Sequence, residues 1–356
     1  MIGERIQLAR KASGLSMRNL AERAGISAMA ISKYEANKNT PSSGVMLSLS
    51  KALGVRTEYF FRQSEIKLKE VEYRKHSKIP RKVLDQIEGE VIEQMERFFQ
   101  LEEFLPVMPV EKFSLPKGLK AKIDSYSDIE KISNLFRKSW GLGCNPIPDL
   151  TDALEERGIK VFLSSIPHDD KFDGLAAQVN GIPVIVVGKD WPGDRQRFTL
   201  AHELGHLALA GRLPDDLDEE KAANRFASAF LVPESEAIKE LGESRSRLEP
   251  VELCILKETY GLSMRGWIYR ASDLGILNKS DARKMWGYFR RNNWVKNEPG
   301  SPYPSEQPKL FKQLVFHALA EDLISESRAA DLLSMPLIDF RKLRKVGSCE
   351  QEALYQ

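Results

Sequence analysis

His202-Glu203-Leu204-Gly205-His206, inside the stretch RQRFTLAHELGHLAL at residues 195–209, decides how the rest of the chain is read. In an α-helix the side chains at i and i+4 lie on one face, so His202 and His206 can both aim a ring nitrogen at one cation. Glu203 is turned off that line and is free to act as a general base, the division of labour of H-E-x-x-H. Phe198, Leu200, Ala201, Leu204, Leu207, Ala208 and Leu209 put apolar residues on most faces, which predicts a buried helix. The plain competitor is a core helix whose histidines are satisfied by hydrogen bonds alone. Two of the chain's five histidines fall in this motif.

A length of 356 residues exceeds one ordinary domain, and 42% hydrophobic with 29% charged residues is the balance of a soluble globular protein. The net charge of +2 excludes no partner class until the charges are read by segment. No charge-free apolar run is long enough for a membrane span, and Glu4, Arg5 and Arg10 interrupt any signal-peptide core, so a cytoplasmic protein without membrane contact is expected. Cys144, Cys254 and Cys349 are odd in number and lack C-x-x-C pairing, which argues against disulfides and against a thiolate zinc site.

Upstream of the histidines, helices are expected over Asp128–Trp140 and Leu150–Glu156. A strand follows at Ile159–Ile166, then strands at Leu175–Val179 and Ile182–Val187 joined through Asn180-Gly181, a strong hairpin signal. Helices followed by a small sheet and the histidine helix make an α+β domain. A catalytic zinc site usually has three protein ligands, so a third belongs on a second helix packed against the first. DLDEEKAANRFASAFLVP supplies one: Ala222, Ala223, Phe226, Ala227 and Phe230 form a face for close packing, with Glu219 and Glu220 in the first turn.

At the N-terminus short helical segments alternate with turns. Ser16 reads as the cap of a helix over Met17–Arg23, Ala24-Gly25-Ile26 as a tight turn, and Ser27 as the cap of the next helix, through about Ala36. Between Met1 and Gln63 ten Lys and Arg face four Glu, a formal +6 and the electrostatic footprint of a DNA binder. The run LARKASGLSMRNLAERAGISAMAISKYEANKNTPSSGVMLSLSKALGV resembles a helix-turn-helix of the Cro/cI (XRE) type. The resemblance implies that Ser27 to Asn37 is the recognition helix, with Ser27, Ala28, Met29, Ser32 and Lys33 near base edges or phosphates of a double-stranded operator. Lys38 and Asn39 would approach the backbone, and Arg10 and Glu35 stand where such domains form an internal ion pair. Met17 departs from the family, which often carries a phosphate-touching Gln there.

RQRFTLAHELGHLAL followed by EKAANRFASAFLVP is similar to the ImmA/IrrE family of metallopeptidases, a zincin-type group often fused to XRE domains. The resemblance runs from roughly Ile159 to Pro233 and more weakly to about Pro299. It implies that His202 and His206 ligate Zn2+, that Glu203 is the catalytic carboxylate and that Glu220 is the third ligand, Glu219 being the runner-up. Asn224 would hold a ligand from behind. Arg197 reads as a structural partner of nearby acidic residues. Ala210 stands where many relatives have a further His, which this ligand set does not need. For an oxyanion donor, His168, Arg195 and Tyr260 are the residues to examine, each with a plain loop or solvent position as competitor.

The expected organisation is a multidomain chain. An all-α helix-turn-helix head covers 1–62, a helical linker 63–110, an α+β zincin-like metallopeptidase domain 111–299, and a Pro-rich linker with a small, mainly helical C-terminal unit 300–356. Within the linker, apolar residues from Val83 to Phe99 recur at helical spacing; His76 lies in a charged stretch and reads as solvated, and the acidic loop HDDKFDG lacks the ligand order of an EF-hand. RKMWGYFRRNNW reads as core aromatics with a basic outer face, and SRAADLLSMPLIDFRKL has a helix-turn-helix flavour. The function expected is a regulator whose zinc endopeptidase cleaves a protein substrate, a repressor being the class in view. The alternatives are a sensing domain that cuts nothing, or an antitoxin-like binding protein. Half-site spacing on DNA makes a homodimer reasonable.

Overall fold

The computed structural model describes residues 2–61, 68–72, 80–166 and 172–345. His76, His168, Asp169, Asp170 and Cys349 lie outside the described residues. The chain divides into two compact units: residues 1–68, 79–109 and 309–356 form one, and 69–78 with 110–308 form the other.

The first unit begins with α1 (Ile2–Ala12), α2 (Met17–Ala24), α3 (Ala28–Glu35) and α4 (Ser43–Leu53), closed by a 3-10 turn at Thr57–Phe61. The caps are those expected: Ser16 accepts from the Asn19 amide and Ser27 from the Ala30 amide, both at 3.1 Å. Gly25, at φ 67°, makes the left-handed turn between α2 and α3 that a side chain would oppose. Ile6, Leu20, Ile31, Leu49 and Phe60 fill the core. Arg10 grips Glu35 through two hydrogen bonds, one of 2.9 Å, and donates to the Leu15 carbonyl at 3.0 Å, so this pair is structural as expected.

Next comes α5 (Arg81–Glu102), whose buried stripe of Ile87, Val91, Met95 and Phe98 matches the expected periodicity. Instead of bridging open space, that stripe is spent inside this unit. It packs on α1, where Arg5 meets Glu96 at 2.6 Å in a buried ion pair.

In the second unit, β1 (Leu68–Glu72) comes first, a strand inside the stretch read as a helical linker. Its interleaved charges hid it, because an edge strand needs little apolar alternation. Then follow α6 (Tyr126–Ser139), α7 (Leu150–Glu155), β2 (Lys160–Ser164), β3 (Gly174–Val179) and β4 (Ile182–Gly188). The sheet order is β1-β3-β4-β2, with β3 and β4 antiparallel through the Asn180-Gly181 turn and β2 parallel to β4. After it come α8 (Gly193–Leu209), α9 (Glu219–Leu231), α10 (Glu234–Leu241), α11 (Pro250–Tyr260), α12 (Met264–Asp273) and α13 (Lys279–Arg291). Glu130 on α6 ties three helices together: it accepts two bonds from Arg270 on α12 and pairs with Arg225 on α9.

At the start of α6, the Asp128 carboxylate accepts from Lys120 at 2.8 Å, from the Asp124 amide at 3.1 Å and from Lys131 at 3.3 Å. The Lys120 contact leads in holding its pKa down to about 2. A folded pKa below the unfolded value of about 3.9 stabilises above that pH and loses the contribution as pH falls toward the folded value. Asp128→Asn is therefore expected to flatten the dependence of stability on acid between about pH 4 and 2. A denaturant-melt series across that range checks it.

The chain returns to the first unit with α14 (Leu310–Ala320), α15 (Glu326–Leu332) and α16 (Leu337–Leu343). Leu314, Val315, Ala318 and Phe340 share a core with Phe98 and Leu101 of α5. The Pro-rich stretch before them is packed into the second unit: Tyr303 accepts from the Gly193 amide at 3.0 Å, and Glu306 is buried.

Candidate metal centre

The sheet sets the direction of α8. Gln196 donates from Nε2 to the carbonyls of Gly188 at 3.0 Å and Lys189 at 3.1 Å, fixing the first turn of the helix at the end of β4. Arg197, fully buried, donates to Glu306 and, at 2.6 Å, to the Ile147 carbonyl. Arg197 is structural as expected, but its acidic partner is Glu306, far along the chain, rather than a residue nearby.

Close packing of α8 on α9 brings the carboxylates in. A Cβ added at Gly205 would lie 3.2 Å from the Ala223 carbonyl oxygen and 3.3 Å from its Cα, so glycine lets the two backbones approach. Asp218 caps α9, accepting from the Lys221 amide at 3.0 Å, which fixes the turn holding Glu219 and Glu220. Phe226 and Phe230 stack at 5.7 Å and meet Phe136 and Trp140 of α6 edge-on, closing the far side of α9.

One ring nitrogen of His202, one of His206 and one carboxylate oxygen of Glu220 all lie within 4.8 Å of one another. Both imidazoles are buried. Their Nε2 atoms are 3.0 Å apart, a separation at which two lone pairs repel unless a proton or a cation lies between them. Glu220 spans the pair, 3.5 Å from Nε2 of His202 and 3.6 Å from Nε2 of His206. Glu219 approaches His206 at 3.3 Å from the opposite ring nitrogen, Nδ1. Asn224 Oδ1 lies 2.9 Å from Nδ1 of His202. With Nδ1–H donating there, Nε2 presents its lone pair to the cluster.

Glu203 is buried on the same helix. Burial alone would lower the His206 pKa, yet Glu220, Glu203 and Glu219 outweigh it and lift the imidazole above its ordinary value. The cluster thus attracts positive charge. Two imidazoles and a carboxylate are a donor set suited to zinc, so the residues present fit the metal that the motif implies.

Of the three candidate oxyanion donors, Arg195 and Tyr260 are engaged elsewhere, and His168 lies outside the described residues. Arg195 hydrogen-bonds Asp173 and stacks over Trp191 at 3.3 Å. The Tyr260 hydroxyl donates to Glu240 at 3.0 Å, and burial leads in raising its pKa well above the phenol range.

On the head, Met29, Ser32, Lys33, Lys38 and Asn39 are exposed along and beyond α3. Ser27 spends its hydroxyl on the cap, and Ala28 is half-buried against the head core. Met17 is exposed at the start of α2.

Residues 154–272 match the family model described as the IrrE N-terminal-like domain, and residues 6–60 match that of the helix-turn-helix. The head is thus similar to a helix-turn-helix of the XRE type, and residues 154–272 are similar to the IrrE/ImmA-like peptidase domain. Over 64 residues, 18% of its length, it is 38% identical to an uncharacterized transcriptional regulator in the ATPase CF(0) region of Rhodospirillum rubrum. The match spans 59% of that relative. Among the described residues no helix is long and apolar enough to cross a membrane.

Proposed function

We propose that this chain is a cytoplasmic transcription regulator that binds an operator through α3 and hydrolyses a peptide bond in a regulatory protein, a repressor being the class in view. The observation that carries the reading is the convergence of His202, His206 and Glu220 beside the buried Glu203. His202, His206 and Glu220 would hold zinc; Glu219, on the outer face of His206, would not. Bound zinc supplies Lewis acidity, polarising a carbonyl and acidifying a water molecule. Glu203 would accept a proton at its carboxylate from the attacking water and return it to the leaving amine. Asn224 keeps His202 in the tautomer that ligates. The formal +6 of the head draws the duplex in, Ser32 and Lys33 face base edges or phosphates, Met29 offers an apolar contact, and Lys38 meets the backbone. A homodimer would match a two-part operator.

Metal analysis of the purified full chain tests the ligand set. About one zinc per chain is expected. His202→Ala and Glu220→Ala should each lose it, and Glu219→Ala should keep it. Undiminished zinc in His202→Ala, or loss in Glu219→Ala with retention in Glu220→Ala, contradicts the assignment.

A further inference from the structure

The first unit contains its helix-turn-helix twice. Placing Ser325 on Ser16 aligns residues 324–345 with 15–36 at one constant offset, without insertion or deletion. The two segments then agree at the first cap, the turn and the core, although Pro336 stands without a side-chain cap where Ser27 caps α3. Ser16 caps α2 by accepting from the Asn19 amide at 3.1 Å, and Ser325 caps α15 by accepting from the Arg328 amide at 3.2 Å. The left-handed residue of the turn is Gly25 at φ 67° in one and Ser334 at φ 55° in the other.

The hydrogen bonds across the turn repeat as well. Gly25 donates to Glu22 and Ile26 to Ala21; Ser334 donates to Asp331 and Met335 to Ala330. At the start of the second helix, Ala30 and Ile31 donate to Ser27, and Asp339 and Phe340 donate to Pro336. Burial follows the same register: Leu20 and Ala21 match Ala329 and Ala330, and Ile31 matches Phe340, all buried. The exposed apolar residue of α3, Met29 at 69%, is matched by Ile338 at 66%. Sequence identity across the pair is low because only the caps, the turn and the core positions are constrained by the motif.

We infer that α15 and α16 form a second helix-turn-helix and that the exposed face of α16 binds duplex DNA. Four cations (Arg341, Lys342, Arg344 and Lys345) face one carboxylate, Asp339, between Leu337 and Lys345. Arg341 pairs with Glu326 at 2.9 Å, Arg344 pairs with the same carboxylate, and Lys342 pairs with Asp339 at 3.0 Å. These pairs are solvent-exposed and therefore weak, so a phosphate can replace the carboxylate. Ile338 is placed as Met29 is, for an apolar contact such as a thymine methyl. Asp331 of α15 also meets Arg56 of the head at 2.6 Å, within the same unit. An acidic protein partner could meet the same cations, but would not account for the repeated turn geometry; duplex DNA accounts for both.

This inference extends the DNA-binding reading of the head, and separate variants keep the two apart. The probe is a fluorescein-labelled mixed-sequence duplex of about 40 base pairs, titrated with the full chain over a series of salt concentrations and read by anisotropy. Arg341→Ala, Lys342→Ala and Lys345→Ala together should make the plot of log affinity against log salt shallower by about 2 to 3. Ser32→Ala, Lys33→Ala and Lys38→Ala in the head should weaken binding independently, and Arg341→Lys with Lys342→Arg should keep the wild-type slope. If the C-terminal triple variant keeps that slope while the head variant loses affinity, the inference fails and the head reading stands. If the wild type binds the duplex at no salt concentration, both fail. Should the triple variant melt early, Lys342→Glu alone carries the test and must still weaken binding.

Discussion

Glu306→Ala is expected to lower the unfolding free energy of the second unit by about 3–5 kcal/mol, because removing one partner of a buried ion pair strands the other. Arg197 is fully buried, and Glu306 is the carboxylate its guanidinium meets. Glu306 also accepts from the amides of Leu150 at 3.1 Å and Thr151 at 3.0 Å, the first residues of α7. Alanine would therefore leave a buried cation and two buried amides short of their acceptor at once. Glu306→Gln keeps an acceptor for the amides and should cost less. Arg197 stands on α8, ahead of His202 in the chain, so loss of the pair should also weaken zinc binding without touching a ligand. Denaturant melts check the first effect and zinc titration the second; a loss below about 1 kcal/mol for Glu306→Ala would show that the pair is no more than a surface contact.

Glu203→Gln is expected to reduce peptide hydrolysis by about 10²–10⁴-fold, the usual weight of a general base, while leaving zinc content unchanged. Glu203 is not among the three residues whose ligand atoms converge, so its loss should not empty the centre. Glutamine fills the same buried space and cannot accept the proton. Loss of zinc along with activity would instead give Glu203 a ligand's role.

Much of this site was legible in the sequence because its chemistry fixes residue types at helical spacing. His202 and His206 must stand one turn apart, Gly205 and Ala223 must be small for the helices to meet, and a carboxylate must lie in the first turn of the partner helix. The family resemblance already put Glu220 ahead of Glu219, and the rotation of α9 adds the geometry, with Glu220 near both Nε2 atoms and Glu219 near Nδ1 of His206. The hairpin through Asn180-Gly181 and the Ser16 and Ser27 caps were equally readable, since each is a local signal.

Long-range partnerships were not. Nothing around Glu306 announces that it neutralises Arg197, and a Pro-rich composition suits a docked strap as well as a linker. The strand at Leu68–Glu72 was hidden for a related reason: its pairing with β3 is a property of the partner strand, and its own charges read as a solvated helix. The amphipathic stripe of α5 was visible, but a stripe states that a face is buried and leaves open against what; α1 and α14 cover it. The second helix-turn-helix showed only a faint likeness in sequence, and its backbone bonds made the repeat plain.

The central claim is that the metal centre acts on a protein in a chain that also binds DNA. Its most direct test is to co-express the full chain with the product of the neighbouring gene, tagged at both ends, and follow that product's length by immunoblot. Wild type should shorten it, Glu203→Gln should leave it intact, and both should retain zinc and bind duplex DNA equally. A product left intact by the wild type, or shortened equally by both, contradicts the account.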